Sequence, residues 1–242
     1  MEIISKESLQ STNLYANQLL DSGEIKKPTL IVTDCQTAGK GYGKNLWESA
    51  PNQNLTFSLV AFPNFLSADN IFSISMAVSL AICQFLEQYI DSVSIKWPND
   101  IYWKDKKIAG ILIENALSGE NIEYVIAGIG LNINQEVFET NPPNAVSLAQ
   151  ITGKKYNLSE LLSVLAEIIL LKIENLSLEE YDDFIKNYYK KMYRFQKNYE
   201  FRKNNEIFEA KIVGVNKWGN LILQKSDLTH AIFGFKEVEY II

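Results

Sequence analysis

The sequence predicts an α+β fold: a central mixed, mainly antiparallel sheet flanked by helices, with a small β-barrel at the C-terminus. Three observations carry this reading. Short β-type segments follow one another between Val93 and Ile133, helical periodicity recurs without alternating strand for strand, and from residue 192 onward the chain turns to short strands and polar turns. No repeat or long Pro/Gly/Ser linker intervenes, so residues 1–191 and 192–242 are expected to form two closely joined domains.

Ser11 is placed to cap a helix whose Leu14, Tyr15, Leu19 and Leu20 recur at helical spacing, ending near Gly23. Residues 29–35 are β-rich and run into a glycine loop, and residues 55–62 are the next strand and its expected partner. Ser67 opens a helix with Ile71, Ile74, Val78, Ile82 and Phe85, apolar on so many sides that it belongs in the core. Strands follow at 93–96, 101–103, 107–114 and 122–133. Asn157 with Glu160 resembles a capping box before a long apolar helix, and another helix spans about 178–191; both should cover one sheet face. In the barrel, 199–201, 207–215, 221–223 and 230–235 are strands, with Trp218-Gly219-Asn220 a hairpin tip.

Of the 242 residues, 47% are hydrophobic, enough for a sizeable core. The longest apolar run, 71–86, is broken by Ser73, Ser75, Ser79 and Gln84, which argues against a membrane span. Glu2, Lys6 and Glu7 do not suit a signal peptide, so a cytoplasmic protein is expected. Cys35 and Cys83 form neither a disulfide framework nor a metal-ligand spacing; Cys35 fits a strand end and Cys83 a helix core. The net charge of −6 argues against nucleic acid as a partner. The cationic, aromatic stretch 186–203 is read as a helix end leading into the barrel. His230, the one histidine, is expected on the barrel surface.

Three segments carry chemistry. In the first, Gly39, Gly41 and Gly43 alternate with Lys40 and Tyr42 and lead into Lys44 before Trp47, a pattern that lets backbone N–H groups and cations approach a phosphate or carboxylate. Its spacing is neither a dinucleotide fingerprint nor a P-loop, and a plain surface loop has the same composition. In the second, Lys96-Trp97-Pro98-Asn99-Asp100 precedes Lys107-Ile108-Ala109-Gly110-Ile111-Leu112. A hairpin turn explains Pro98 to Asp100, yet pairing of the flanking strands would also gather Lys96 and Lys107 beside an Asn and an Asp, a set that suits a nucleotide with Mg²⁺. In the third, Gly128 and Gly130 interrupt a strand before Asn132, marking a close approach by ligand or backbone.

Taken in order with Ser11-Thr12-Asn13 and Gln36, these segments resemble the biotin protein ligase family over essentially the whole chain. The resemblance implies a catalytic domain related to class II aminoacyl-tRNA synthetases and lipoate ligases, then an SH3-like barrel. With that domain starting almost at Met1, it implies the monofunctional type that lacks an N-terminal DNA-binding domain. It places Ser11, Thr12, Asn13 and Gln36 against the biotin ureido head, with Gly39, Lys40, Gly41, Tyr42, Lys107 and Gly110 completing the biotin set. Lys40, Lys44, Asn45, Trp47, Lys96, Asn99, Lys107 and Asn132 form the ATP set, Trp47 beside adenine. Lys107, Lys40 and Asp100 become the catalytic residues, and Mg²⁺ comes with ATP near Asn99 and Asp100.

Where many relatives carry a second arginine in the loop, this chain has Tyr42, and Lys44 shifts the charge. Lysine lacks arginine's planar bidentate grip, so retention of the adenylate should rest on other contacts. The implied reaction joins biotin to ATP as biotinyl-5'-AMP, then to a lysine of a carboxylase's biotin carboxyl carrier domain. A lipoate ligase shares fold and chemistry, and a biotin-responsive regulator would need a helix-turn-helix. No membrane partner is expected. The chain should be a monomer, or a homodimer through an exposed edge of strand 108–114.

Overall fold

The computed structural model describes all residues except Lys44, 140–143, 177–180 and the side chain of Tyr181. The main sheet contains β1 (Glu2–Leu9), β2 (Thr29–Gln36), β3 (Leu55–Ala61), β4 (Val93–Lys96), β5 (Asp100–Trp103), β6 (Lys106–Ser118) and β7 (Asn121–Leu131). Their order is β1-β2-β3-β7-β6-β5-β4. Only β1–β2 is parallel, so the sheet is mixed and mainly antiparallel, as the sequence predicts. The strand β1 was not foreseen. Most of its residues are exposed and it is paired on one side only, so it lacks the apolar alternation by which a half-buried strand declares itself.

One face of the sheet carries α1 (Thr12–Asp21), which seals a small core of Ala16, Leu19, Ile31, Val60 and Ile126. Ser11 occupies the N-cap position with extended backbone, but its side chain makes no capping bond, contrary to expectation. The other face carries α2 (Phe72–Leu86), α4 (Leu158–Glu174) and α5 (Tyr181–Lys191), with the short α3 (Leu148–Thr152) preceding α4 in the chain. Ser67 caps a single 3₁₀ turn, Ala68–Asn70, ahead of α2. The Ala68–Leu86 stretch is long and apolar enough to cross a membrane, yet 67% of that window is buried inside the fold. The predicted box at Asn157 is half formed: Asn157 accepts from Ser159 N, while Glu160 meets only the Asn157 side chain. A complete box closes instead at Ser147 and Gln150. The predicted start of the last helix, Leu178, lies outside the described residues.

The second sheet contains β8 (Asn198–Lys203), β9 (Glu206–Val215), β10 (Leu221–Lys225), β11 (His230–Phe233) and β12 (Glu239–Tyr240), antiparallel in the order β11-β10-β9-β8-β12. No ladder joins β11 to β12 among the described residues. Its inner residues Phe201, Ile212, Leu221, Leu223 and Phe233 belong to the same apolar cluster as α2. The hairpin tip between β9 and β10 makes the closest joint. Gly219 (φ +84°) lies so near Phe72 that a Cβ there would stand 2.3 Å from the ring. Its carbonyl accepts Trp97 Nε1 at 2.7 Å, so a glycine is needed for both conformation and space.

The expected free edge at 108–114 needs correction. β5 pairs with β6 through Gly110 and β7 pairs with it from Ala109, so only the part beyond Gly110 lacks a strand on its β5 side.

Candidate active site

The sheet and the C-terminal segment enclose a cavity of about 940 Å³ whose two ends differ in chemistry. At the neutral end, the start of α1 meets β2, β3 and β6. Thr12 N–H donates to Gln36 Oε1 at 2.9 Å. Ser58 Oγ, from the apolar strand β3, lies 2.7 Å from Thr12 Oγ1 and 2.6 Å from Asn13 Oδ1. Asn13 Nδ2 donates to Glu114 Oε2 at 2.8 Å. Ser11, Thr12 and Asn13 are buried, yet all three line the cavity with Gln36. Such a lattice presents fixed donors and acceptors with no net charge on the lining groups.

At the other end, the turn between β4 and β5 and the start of β6 bring cations together. The register pairs Lys96 with Asp100 and Asp100 with Gly110. Lys107 Nζ consequently reaches Asp100 Oδ1 at 2.6 Å. Lys96 Nζ lies 5.2 Å from the Tyr102 ring centroid and 4.9 Å from that of Tyr240. Burial holds the Lys96 ammonium below the ordinary lysine range; Asp100 opposes this shift, and Lys107 and Arg194 add to it. Burial also pushes the Tyr102 hydroxyl up to about 12, so it stays protonated at neutral pH. Asn99 Nδ2 donates to Ile111 O at 2.6 Å, which fixes the turn against β6.

Trp47 lies along the sheet floor between these ends. A Cβ on Gly130 would stand 2.2 Å from the indole, and one on Gly128 equally close to Asn13 Oδ1, which accounts for the two glycines in β7. Lys107 Nζ stands 5.7 Å from the indole centroid, and Trp47 Nε1 is buried without a hydrogen-bond partner among the described residues.

The structure therefore gathers Ser11, Thr12, Asn13, Gln36, Lys40, Gly41, Tyr42, Asn45, Trp47, Lys96, Asn99, Asp100, Lys107 and Gly110 around one cavity. Two predicted residues stand behind it. Gly39 accepts Trp47 N–H at the root of the loop. Asn132, only 3% exposed, donates to Val146 O and does not line the cavity. Lys44 lies outside the described residues. His230 is exposed and away from the cavity.

Sequence reasoning missed Ser58 and Glu114, which order the neutral end, and Tyr102, Asn144, Lys236 and Tyr240, which line the cavity. A serine inside the strand LTFSLVA was the available signal for Ser58.

Residues 5–132 match the Biotin/lipoate A/B protein ligase family. The chain is 28% identical over 243 aligned residues to the bifunctional ligase/repressor BirA of Bacillus subtilis, covering 93% of this chain and 70% of that protein. It is 28% identical over 166 residues to the biotin–protein ligase of Homo sapiens, covering 64% of this chain and 22% of that protein. Its fold matches the biotin protein ligase from Aquifex aeolicus in complex with biotin and ATP at a TM-score of 0.79 and 25% identity, over 99% of each chain.

Proposed function

The chain belongs to the biotin/lipoate A/B protein ligase family, and from that premise we propose that it activates biotin with ATP and transfers it to a lysine of a biotin carboxyl carrier domain. The neutral lattice of Thr12, Asn13, Gln36 and Ser58 carries the choice of biotin. A ureido head has the donors and acceptors to join the hydrogen bonds of the polar groups lining this end, whereas an apolar dithiolane has none to offer them.

In this reading the ureido head sits at the neutral end and the biotin carboxylate faces Lys107. The carboxylate oxygen attacks the α-phosphate of ATP, pyrophosphate leaves, and Lys40, Lys96 and Lys107 offset the developing negative charge. Asp100 holds the Lys107 ammonium in place through their ion pair. The carrier's lysine amine, oriented by Asp100, then attacks the acyl carbonyl of biotinyl-5'-AMP, AMP leaves with the carbon–oxygen electrons, and the nitrogen gives up its proton to Asp100 or solvent. The glycine loop keeps water from the mixed anhydride.

Among the described residues there is no group of three or more His, Cys, Asp or Glu able to hold a metal. Mg²⁺ would arrive with ATP, and Asn99 and Asp100 would offer it oxygen ligands, with phosphate and water supplying the rest. When bound, it neutralises polyphosphate charge. We assign residues 1–191 to catalysis and 192–242 to an SH3-like unit that completes the cavity, in a cytoplasmic enzyme whose carrier belongs to a biotin-dependent carboxylase.

The test supplies purified protein with ATP, Mg²⁺, biotin and an apo-carrier domain. AMP release with a mass gain of one biotin on the carrier is expected; transfer of lipoate but not biotin overturns the assignment.

A further inference from the structure

One cation reaches the cavity from the far end of the chain and belongs to none of the motifs. Lys236, in the turn between β11 and β12, lines the cavity together with Lys40, Tyr42 and Tyr240. Its Nζ donates to Tyr42 O at 2.9 Å and stands 5.3 Å from the Tyr42 ring centroid. The same ring meets Phe235 edge-on at 5.5 Å. The loop around Tyr42 is otherwise folded on itself, with Gly41 N–H on Asn45 O and Trp47 N–H on Gly39 O. Lys236 and its neighbour Phe235 thus join the loop to the C-terminal sheet.

The charge on Lys236 is also uncommitted. Among the described residues no carboxylate lies within ion-pair distance of it, in contrast to Lys107 on Asp100 or Lys191 on Glu87. An ammonium carries three N–H donors, and the Tyr42 carbonyl takes one. Lys236 and Lys96 line the same cavity, and Tyr240, in the strand β12 that follows Lys236, faces the Lys96 ammonium.

We propose that Lys236 is a further positioning and anion-binding residue: it latches the glycine loop over the cavity through Tyr42 and turns its remaining N–H groups to the phosphate ester of the bound acyl-adenylate. The phosphate half of this inference rests on the proposed ligase reading; the latch half does not.

The experiment compares the parent protein with Lys236→Met and Lys236→Arg. Without ligand, limited trypsin digestion followed by mass spectrometry reads cleavage after Lys40. In Lys236→Met this cleavage should quicken about tenfold, the scale of losing one exposed hydrogen bond and one cation–π contact, while Lys236→Arg stays near the parent rate. With adenylate formed from biotin, ATP and Mg²⁺, Lys236→Met should release it about tenfold faster with unchanged affinity for biotin alone. Because Lys236 is exposed, the thermal midpoints of all three should agree. Equal cleavage and equal adenylate release across the three overturn the inference. A parent protein that forms no adenylate overturns the ligase reading and with it the phosphate half, and digestion alone then decides the latch.

Discussion

The two ends of the cavity are built by opposite means. The neutral end is interlocked: Thr12, Asn13, Gln36, Ser58 and Glu114 come from four elements and already hydrogen-bond one another. At the cationic end Lys107 is paired with Asp100, but Lys96 lies against two aromatic faces and Lys236 donates to a single carbonyl, neither with a carboxylate partner among the described residues. A neutral headgroup is distinguished only by the placement of donors and acceptors, so that placement has to exist beforehand. A phosphate is recognised largely by charge, which acts over a longer range and tolerates movement.

The largest effect that separates the ends is expected from Lys107→Ala. It removes the cation beside Asp100 and leaves that carboxylate unpaired, and adenylate formation, followed as pyrophosphate release, should fall by about 10²–10³-fold. Biotin affinity, measured by calorimetry, should change far less; an equal loss in both would mean that the two ends do not act separately. Ser58→Ala should show the reverse pattern. Without the hydroxyl between Thr12 and Asn13, KM for biotin should rise about tenfold with kcat little altered. A fall in kcat alone would instead connect Ser58 to the chemical step.

The smallest effect concerns stability. Burial lowers the affinity of folded Lys96 for its proton, so unfolding takes up a proton at pH values between the depressed ionisation and the ordinary lysine value of 10.5. Stability contributed by this site therefore rises with pH across that window and is lost as pH falls through it. Melting curves from pH 7 to 10 should show the parent gaining a few degrees relative to Lys96→Met. A constant gap would place Lys96 in water rather than between its two rings.

The sequence exposed one kind of information better than another. Residues carried by local patterns, such as Lys96 to Asp100 or Gln36 to Trp47, were identifiable because turn chemistry and glycine spacing are written in consecutive positions. Lys236 and Tyr240 were not, since only the docking of the second sheet brings them to the loop and to Lys96. The strand β1 escaped because an exposed edge tolerates Glu2, Lys6 and Glu7. Asn132 was recognised as special, but its burial against Val146 follows from contacts that no motif encodes. At Tyr42, where the family resemblance leads one to expect an arginine, the Lys236 ammonium stands 5.3 Å from the ring centroid.

The bond from Trp97 Nε1 to the Gly219 carbonyl also bears on biosynthesis. Chains emerge from the ribosome N-terminus first, so the turn that carries Asn99 and Asp100 is synthesised more than a hundred residues before the hairpin tip that receives its indole. Until that tip emerges, Trp97 lacks its acceptor and the loop around Tyr42 lacks Lys236. A nascent chain can thus assemble the neutral end of the cavity early, but it closes the cationic end only as synthesis reaches β12.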